Sequence, residues 1–416
     1  MLCVVTLKPT AARLECLECL EFEACANFSP LSELIPMIQT KLPKVSTTIF
    51  TVMSTLAQQH NAINLGQGFP DFAGPQGLHD ALARHVSAGR NQYAPAQGVL
   101  KLREQIALKT EAIYGRKTNP DTEVTVVSGG SEGLYVAIAA SVHAGEEVIV
   151  LDPCYDSYDP AIALCGAVAV HVPMDAPNFA PDWARVKAAI TPRTRMIMIN
   201  SPHNPTGAML TRADLDALAE ITRDTQILVL SDEVYEHIYF DGRRFESVLS
   251  HPELALRSFA ISSFGKTYHV TGWKVGYCVA PPALTAEFRK VHQYLTFCTF
   301  HPAQWALADF LESDPKHYHD LPHFYQEKRD DFTALMQPSR FKLLPVQGAY
   351  FQLCDYSAIS DQSDLDFCRW LVEKIGVAAI PISAFYDAPP EQRLIRFCFA
   401  KQPETLEAAA TRLCAL

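Results

Sequence analysis

Two lysines eight positions apart, Lys266 and Lys274, stand in the stretch Ser262-Ser-Phe-Gly-Lys-Thr-Tyr-His-Val-Thr-Gly-Trp-Lys-Val-Gly-Tyr277, among small, hydroxyl-bearing and aromatic neighbours. The apolar run Phe259-Ala260-Ile261 just upstream reads as the end of a buried strand. A lysine just past a strand end, beside residues that allow close approach, suits an amine that is partly desolvated and reactive. Taken alone, Gly-Lys-Thr is equally a solvated surface loop, so the rest of the chain has to decide. A second candidate is Ser128-Gly129-Gly130-Ser131-Glu132-Gly133, between the alternating β-branched run Glu123–Val127 and an apolar helix expected over Leu134–Val142. Strand, glycine-rich turn and helix form an anion cradle, with free backbone N–H groups and the positive helix end facing the ligand. It lacks the G-x-G-x-x-G of a dinucleotide fold and an acidic residue placed for a ribose, so it suits a single phosphate. A third is Arg396, inside the apolar strand Leu394–Ala400. An unpaired buried arginine is costly, so it needs a partner, and a structural salt bridge is one way to supply it.

The elements that must hold these residues follow a rhythm. Glu147–Leu151, Val168–Val172, Met196–Asn200 and Ile227–Leu230 are short apolar runs entered from polar turns, with helical stretches between several of them. That pattern predicts a largely parallel sheet flanked by helices, an α/β class, with ligands at the carboxyl ends of its strands. At those ends stand Asp152-Pro-Cys-Tyr-Asp-Ser-Tyr158, Ser201-Pro-His-Asn-Pro-Thr-Gly207, Ser231-Asp-Glu-Val-Tyr235 and the lysine stretch. Upstream, apolar spacing predicts an amphipathic helix between Lys44 and Gln59, and a second helix is expected over Leu78–Ala88. Between them Ile63–Phe72 holds two glycines and a proline, a backbone that turns and admits close approach. Beyond Lys290 the composition shifts towards helices and charge, and a smaller α+β C-terminal domain is expected.

Composition narrows the function. The chain has 416 residues, 48% apolar and 19% charged, as for a globular protein with a large core. A net charge of -11 argues against a nucleic-acid partner. No apolar run approaches the roughly 20 residues that span a bilayer. The 12 cysteines are scattered, several in apolar surroundings, which points to reduced core thiols and a cytoplasmic location. Residues 1–36 carry five glutamates, two basic side chains and four of the cysteines. They fit neither a secretory signal nor a transit peptide, and Cys16-Leu-Glu-Cys19 has no second pair at a zinc spacing. A disordered extension, or a mis-called start with the ordinary one at Met37, is the expectation. His317, His319 and His323 read as polar helix or loop residues, with no metal expected.

The lysine stretch, Asn204-Pro205-Thr206-Gly207 and Ser231-Asp232-Glu233-Val234-Tyr235, in this order, resemble the pyridoxal-phosphate aminotransferases of fold type I, class I. The resemblance covers residues 45–416 and implies roles residue by residue. Lys266 would be the catalytic lysine that binds the cofactor covalently and moves the substrate proton. Asp232 would face the cofactor's pyridine nitrogen, which must stay protonated for the cofactor to act as an electron sink. Asn204 and Tyr235 would hold its phenolic oxygen and Tyr155 would stack on its ring. Ser263, Lys274 and the backbone at Ser131 and Glu132 would hold the phosphate. Gly68 would lie beside the substrate carboxylate, with Arg396 and Asn204 fixing it through a planar fork. Tyr93, in Asn91-Gln-Tyr-Ala-Pro95, would reach the phosphate of a second subunit, implying a homodimer with shared active sites. The implied division is an N-terminal arm over 37–78, a large cofactor-binding domain over 79–300 and a small domain over 301–416.

Within that family the lysine stretch and Val291–Phe297 are most similar to bacterial methionine aminotransferases, with kynurenine and glutamine transaminases on the same scaffold. No arginine of the entry loop, nor one beside Tyr93, is placed for a distal carboxylate, whereas Phe69, Phe72, Tyr155, Tyr350 and Phe351 are apolar or aromatic. A bulky neutral L-amino acid, methionine foremost, is therefore the expected donor to a 2-oxo acid. A cysteine-conjugate β-lyase is the alternative on the same residues. A transcription regulator built on this fold would need an N-terminal DNA-binding helix pair, and residues 1–36 are too short and acidic for one.

Overall fold

A computed structural model describes residues 39–416; the extension expected over 1–36 lies outside the described residues. Leu42–Leu416 form one compact unit. In chain order its strands are β1 (Ile63–Asn64), β2 (Val124–Val127), β3 (Glu147–Asp152), β4 (Val168–Pro173), β5 (Thr194–Asn200), β6 (Leu228–Asp232), β7 (Ser258–Ser263) and β8 (Gly276–Val279). The C-terminal part adds β9 (Lys342–Leu343), β10 (Phe351–Asp355), β11 (Val377–Ala378), β12 (Ile380–Pro381) and β13 (Leu394–Cys398).

Seven strands make the main sheet in the order β2-β8-β7-β6-β5-β3-β4. The neighbours β4, β3, β5, β6 and β7 run parallel, and β8 alone is antiparallel to both strands it pairs with. β3 and β6 are buried along their whole length, because helices cover both faces. On one face the helix Gly130–Ser141 packs against Tyr158–Leu164 and Pro282–Leu295. This is the α/β architecture the sequence pattern predicts. A four-stranded antiparallel sheet, order β12-β13-β10-β9, follows further along the chain.

The helix boundaries differ from the expected ones where caps decide them. The first helix begins at Ile49 rather than near Lys44, since the Thr48 hydroxyl accepts from Thr51 N and Pro43 lies upstream. The second runs Gln76–Ser87, starting right after Pro75. The helix expected from Leu134 starts at Gly130, so the glycine turn is its own first turn. One connection matters for the site. β1 pairs in parallel with β11, and Cys398 N donates to Leu65 O at 2.7 Å, which lays the Gly66–Asp71 loop beside the end of β13. The loop's bend is local: the Asn64 side-chain oxygen accepts from Gly66 N and Gln67 N at 3.0 and 3.2 Å.

Candidate active site

A cavity of about 340 Å³ opens where the carboxyl ends of β5, β6 and β7 meet the Gly66–Asp71 loop and β13. It is lined by Gly68, Ser131, Tyr155, Asn204, Asp232, Tyr235, Ser263, Lys266, Lys274 and Arg396, all residues singled out from sequence. The Glu132 side chain does not line it: it turns back to Ser128 N (2.9 Å) and His292 Nδ1 (2.8 Å), leaving its backbone in the helix's first turn. Tyr93 is 81% exposed outside the cavity, edge-on to Phe297.

Lys266 is carried by a single helical turn, Phe264–Thr267, that follows β7 without a linker. Gly265 permits this tight return, because a Cβ there would sit 2.9 Å from Thr271 Cα. The Lys266 amine donates to Gly68 O at 3.3 Å and lies over the rings of Tyr235 and Tyr350. Burial pushes its ammonium down to about 8, helped by Lys274 and Arg396 and opposed by Cys398 and Asp232. The free amine, which is the nucleophilic and basic form, is therefore easier to reach near neutral pH than for an ordinary lysine.

Asp232 ends β6 on the cavity floor. Its carboxylate accepts from Tyr158 Oη at 2.7 Å and Val234 N at 3.3 Å. Burial raises it to about 6, against the pull of Tyr158, Val234 and Lys266. It is thus a buried acid with a hydrogen bond to each carboxylate oxygen and no arginine or lysine salt bridge among the described residues. Asn200 knits the floor together: its side chain donates to Asp232 O and accepts from Asn204 N, both at 2.8 Å.

At one end of the cavity stands the glycine turn. Gly129 has φ +84°, and a Cβ there would lie 3.0 Å from Lys274 Nζ, so the turn and the Lys274 ammonium form one surface. Ser131 and Ser263 add hydroxyls to it. Backbone N–H groups at a helix start, an ammonium and two hydroxyls are a donor set for a phosphate.

At the other end Arg396, 1% exposed, projects from β13. One amino group donates to Asn204 Oδ1 at 2.6 Å and the other to Gly66 O at 3.0 Å, while Nε is buried without a partner. Among the described residues no carboxylate pairs with it, so the structural salt bridge is not how this arginine is satisfied. Its guanidinium lies 4.0 Å from the Phe351 ring centroid and near Phe50 and Phe385. Burial lowers it to about 10, so it stays charged. A buried cation with one unmatched donor in an aromatic wall calls for an anionic ligand.

Residues 60–413 match the family described as aminotransferase class I and II. The chain is 54% identical over 380 residues to methionine aminotransferase of Escherichia coli, covering 91% of this chain and 98% of that one. The chain belongs to the class I and II aminotransferases.

Other relatives spread around it. A probable N-succinyldiaminopimelate aminotransferase of Mycobacterium tuberculosis is 39% identical over 391 residues, and kynurenine–oxoglutarate transaminase 1 of Rattus norvegicus is 31% identical over 408. They cover 91% and 90% of this chain, and 98% and 96% of their own lengths. Among solved structures, an E. coli protein identified as having a methionine aminotransferase function superposes with a TM-score of 0.90, covering 91% of this chain and all of that one. The fold is therefore fold type I, and this aminotransferase depends on pyridoxal 5′-phosphate and acts on an amino acid and a 2-oxo acid.

Several residues of this site escaped the sequence reading. Tyr158, Asn200, Phe50 and Gln67 either line the cavity or fix residues that do. Tyr158 had a signal, three positions after Tyr155 at the start of a helix. Phe50 had none, since it reads as an ordinary apolar position of an amphipathic helix. His317 is a packing residue whose Nε2 donates to Thr267 O at 3.0 Å. No helix among the described residues is long and apolar enough to cross a membrane.

Proposed function

We propose that this aminotransferase takes the amino group of a bulky neutral L-amino acid, methionine foremost, and passes it to a 2-oxo acid. The observation that carries the reading is the pairing of Arg396, with its unmatched Nε, and a cavity otherwise walled by Phe50, Phe69, Phe351 and Tyr155. Arg396, oriented by Asn204, takes the substrate α-carboxylate. Among the described residues of this chain the lining cations are Lys266, Lys274 and Arg396, and our assignment occupies all three, which leaves none of these for a second carboxylate. The methionine aminotransferase relative supports the same choice.

When bound, pyridoxal phosphate supplies the electron sink for charge at the substrate Cα and carries the amino group between the two halves of the reaction. The chain's residues would do the rest. Gly129–Ser131, the backbone at Glu132, Ser263 and Lys274 hold the phosphate. Asp232 would keep a proton on the cofactor's ring nitrogen, with Tyr158 and Val234 holding that carboxylate in place. Tyr155 would pack on the ring, and Asn204 and Tyr235 would donate to its phenolic oxygen. Lys266, whose buried amine has a depressed proton affinity, would hold the cofactor covalently and would carry the substrate Cα proton as general base and acid. Gly68 leaves room for the carboxylate beside Phe351. The amino donor leaves as its 2-oxo acid, and a second 2-oxo acid leaves as an amino acid.

We assign residues 37–78 to an arm, 79–300 to the cofactor-binding domain and 301–416 to a smaller domain. The placement of the seven-stranded sheet within 124–279 and of the four-stranded sheet within 342–398 supports that division. We also propose a homodimer in which Tyr93 reaches the partner's phosphate site. Tyr93, Tyr294, Phe297 and Phe300 are exposed at 81%, 88%, 44% and 52%, more aromatic surface than a monomer usually leaves in water. A cytoplasmic location fits the free thiols of all eight described cysteines.

The test is the visible spectrum of the purified protein with and without L-methionine, followed by kcat/KM for L-methionine, L-kynurenine and L-aspartate. Loss of the yellow band on adding methionine, with the methionine-derived oxo acid released and methionine ranked first, is expected. A higher kcat/KM for aspartate would overturn the substrate reading. The same assay with a cysteine conjugate separates transamination from β-elimination, which would release the thiol together with pyruvate and ammonia.

A further inference from the structure

We propose that His292 is a positioning residue for the phosphate end of the site, acting by cancelling the charge of Glu132 directly behind it. The inference rests on reading Gly129–Ser131 as the phosphate cradle. Glu132 stands one residue beyond Ser131, in the first turn of the helix whose start forms that cradle. A carboxylate in a helix's first turn normally helps the helix. Here the same place must admit a phosphate of nearly two negative charges, and an uncompensated carboxylate beneath it would repel that anion.

The geometry supplies the compensation. Glu132 Oε2 accepts from Ser128 N at 2.9 Å, and Oε1 lies 2.8 Å from His292 Nδ1. His292 Nε2 lies 2.9 Å from Ala96 O, which can only accept, so Nε2 carries a hydrogen. One proton then remains between Nδ1 and Oε1. Whichever atom holds it, the His292–Glu132 pair has no net charge, and the Lys274 ammonium beside Gly129 is left to face the phosphate unopposed. The pair is shielded from water, with side chains 1% and 10% exposed, so its electrostatics are little screened.

The same imidazole joins three segments. It belongs to the last turn of Pro282–Leu295, grips the Ser128–Glu132 turn through Glu132, and grips the segment carrying Tyr93 through Ala96. Ser128 Oγ also lies 3.2 Å from Thr299 Oγ1, so the turn is held from a second side. Loss of the imidazole therefore removes the charge balance while leaving part of the mechanical support.

The experiment compares pyridoxal phosphate with pyridoxal, which lacks the phosphate, on the cofactor-depleted full-length protein. Binding is read from the yellow band of the lysine-bound cofactor, and inorganic phosphate is used as a competitor. His292→Asn keeps a donor near the Nδ1 position but carries no charge. It is expected to weaken pyridoxal phosphate and inorganic phosphate roughly tenfold while leaving pyridoxal unchanged. Glu132→Gln combined with His292→Asn removes both charges and is expected to recover most of the loss. An unchanged ratio of pyridoxal phosphate to pyridoxal affinity in His292→Asn overturns the proposal. So does an equal loss for both ligands, or a loss that persists in the double variant, since either is what a purely structural histidine would give. If the unaltered protein itself does not prefer pyridoxal phosphate to pyridoxal, the phosphate reading of the cradle fails instead.

Discussion

The two ends of the cavity, each proposed to take an anion, are built in opposite ways. The Gly129–Ser131 end is made mainly of backbone: a helix start, a left-handed glycine and one lysine whose ammonium lies against it. The Arg396 end is a single side chain buried against aromatic rings, with Asn204 and a carbonyl taking part of its fork. Backbone donors cannot swing away, which suits a group that stays bound through every turnover. A side-chain fork in an apolar wall gives directional recognition of a ligand that must also leave. Lys266 stands between the two, its amine held by Gly68 O. The contrast is one of residence time, and each end can be broken separately.

The largest effect belongs to the group between them. Lys266→Ala is expected to lower turnover at least about 10⁴-fold while both anion ends still bind, because the proton carrier is gone and the clamps remain. Full or near-full activity would mean another amine does the chemistry. The ends themselves should then separate. Arg396→Lys, which keeps charge but loses the planar fork, is expected to cost roughly 10²-fold in kcat/KM, mostly in KM, with cofactor affinity unchanged. Lys274→Met should do the reverse, weakening the cofactor roughly tenfold with a smaller change in KM for the amino acid. A common pattern of losses for the two variants would erase the proposed division of labour.

The smallest perturbation tests the floor they share. Burial raises the folded-state pKa of Asp232 to about 6 from an ordinary 3.8. The neutral acid is therefore favoured in the folded chain, and its contribution is full below pH about 4 and lost as pH rises through about 6. By pH 7.5 the loss is at most about 3 kcal/mol in the protein without cofactor. Asp232→Asn should remove that loss, so the cofactor-depleted variant melts higher than the parent at pH 7.5 and at nearly the same temperature at pH 4. Its activity should nonetheless fall, since an amide cannot keep the facing ring nitrogen protonated. A variant that is less stable at pH 7.5 would show that Asp232 is paired rather than strained.

Much of this site is legible in the chain because parallel sheets concentrate ligand-facing residues at strand ends. Asn204, Asp232 and Lys266 each fall within a few positions of the end of an apolar run, so their convergence follows from topology. Partners distant in sequence are another matter. Arg396 meets Asn204 across 192 positions and Gly66 across 330, and no spacing rule relates them. Tyr158 reads as a helix residue until its hydroxyl is seen on Asp232, and Phe50 as a core position until it stands beside the guanidinium.

By itself, then, the sequence determined the sheet and the need of Arg396 for a partner, and it pointed to the proposed phosphate cradle and the proposed reactive lysine. These rest on local patterns: strand-end residues, glycines at a tight turn, and the cost of burying a charge. The tertiary structure alone decided which partner each charge has. Arg396 is left with its Nε–H lacking an acceptor, the Asp232 carboxylate is held by Tyr158 and Val234, and Glu132 is turned away from the cavity onto His292. Electrostatic pairing depends on distance in space and on exclusion of water, and neither is written in the order of the residues.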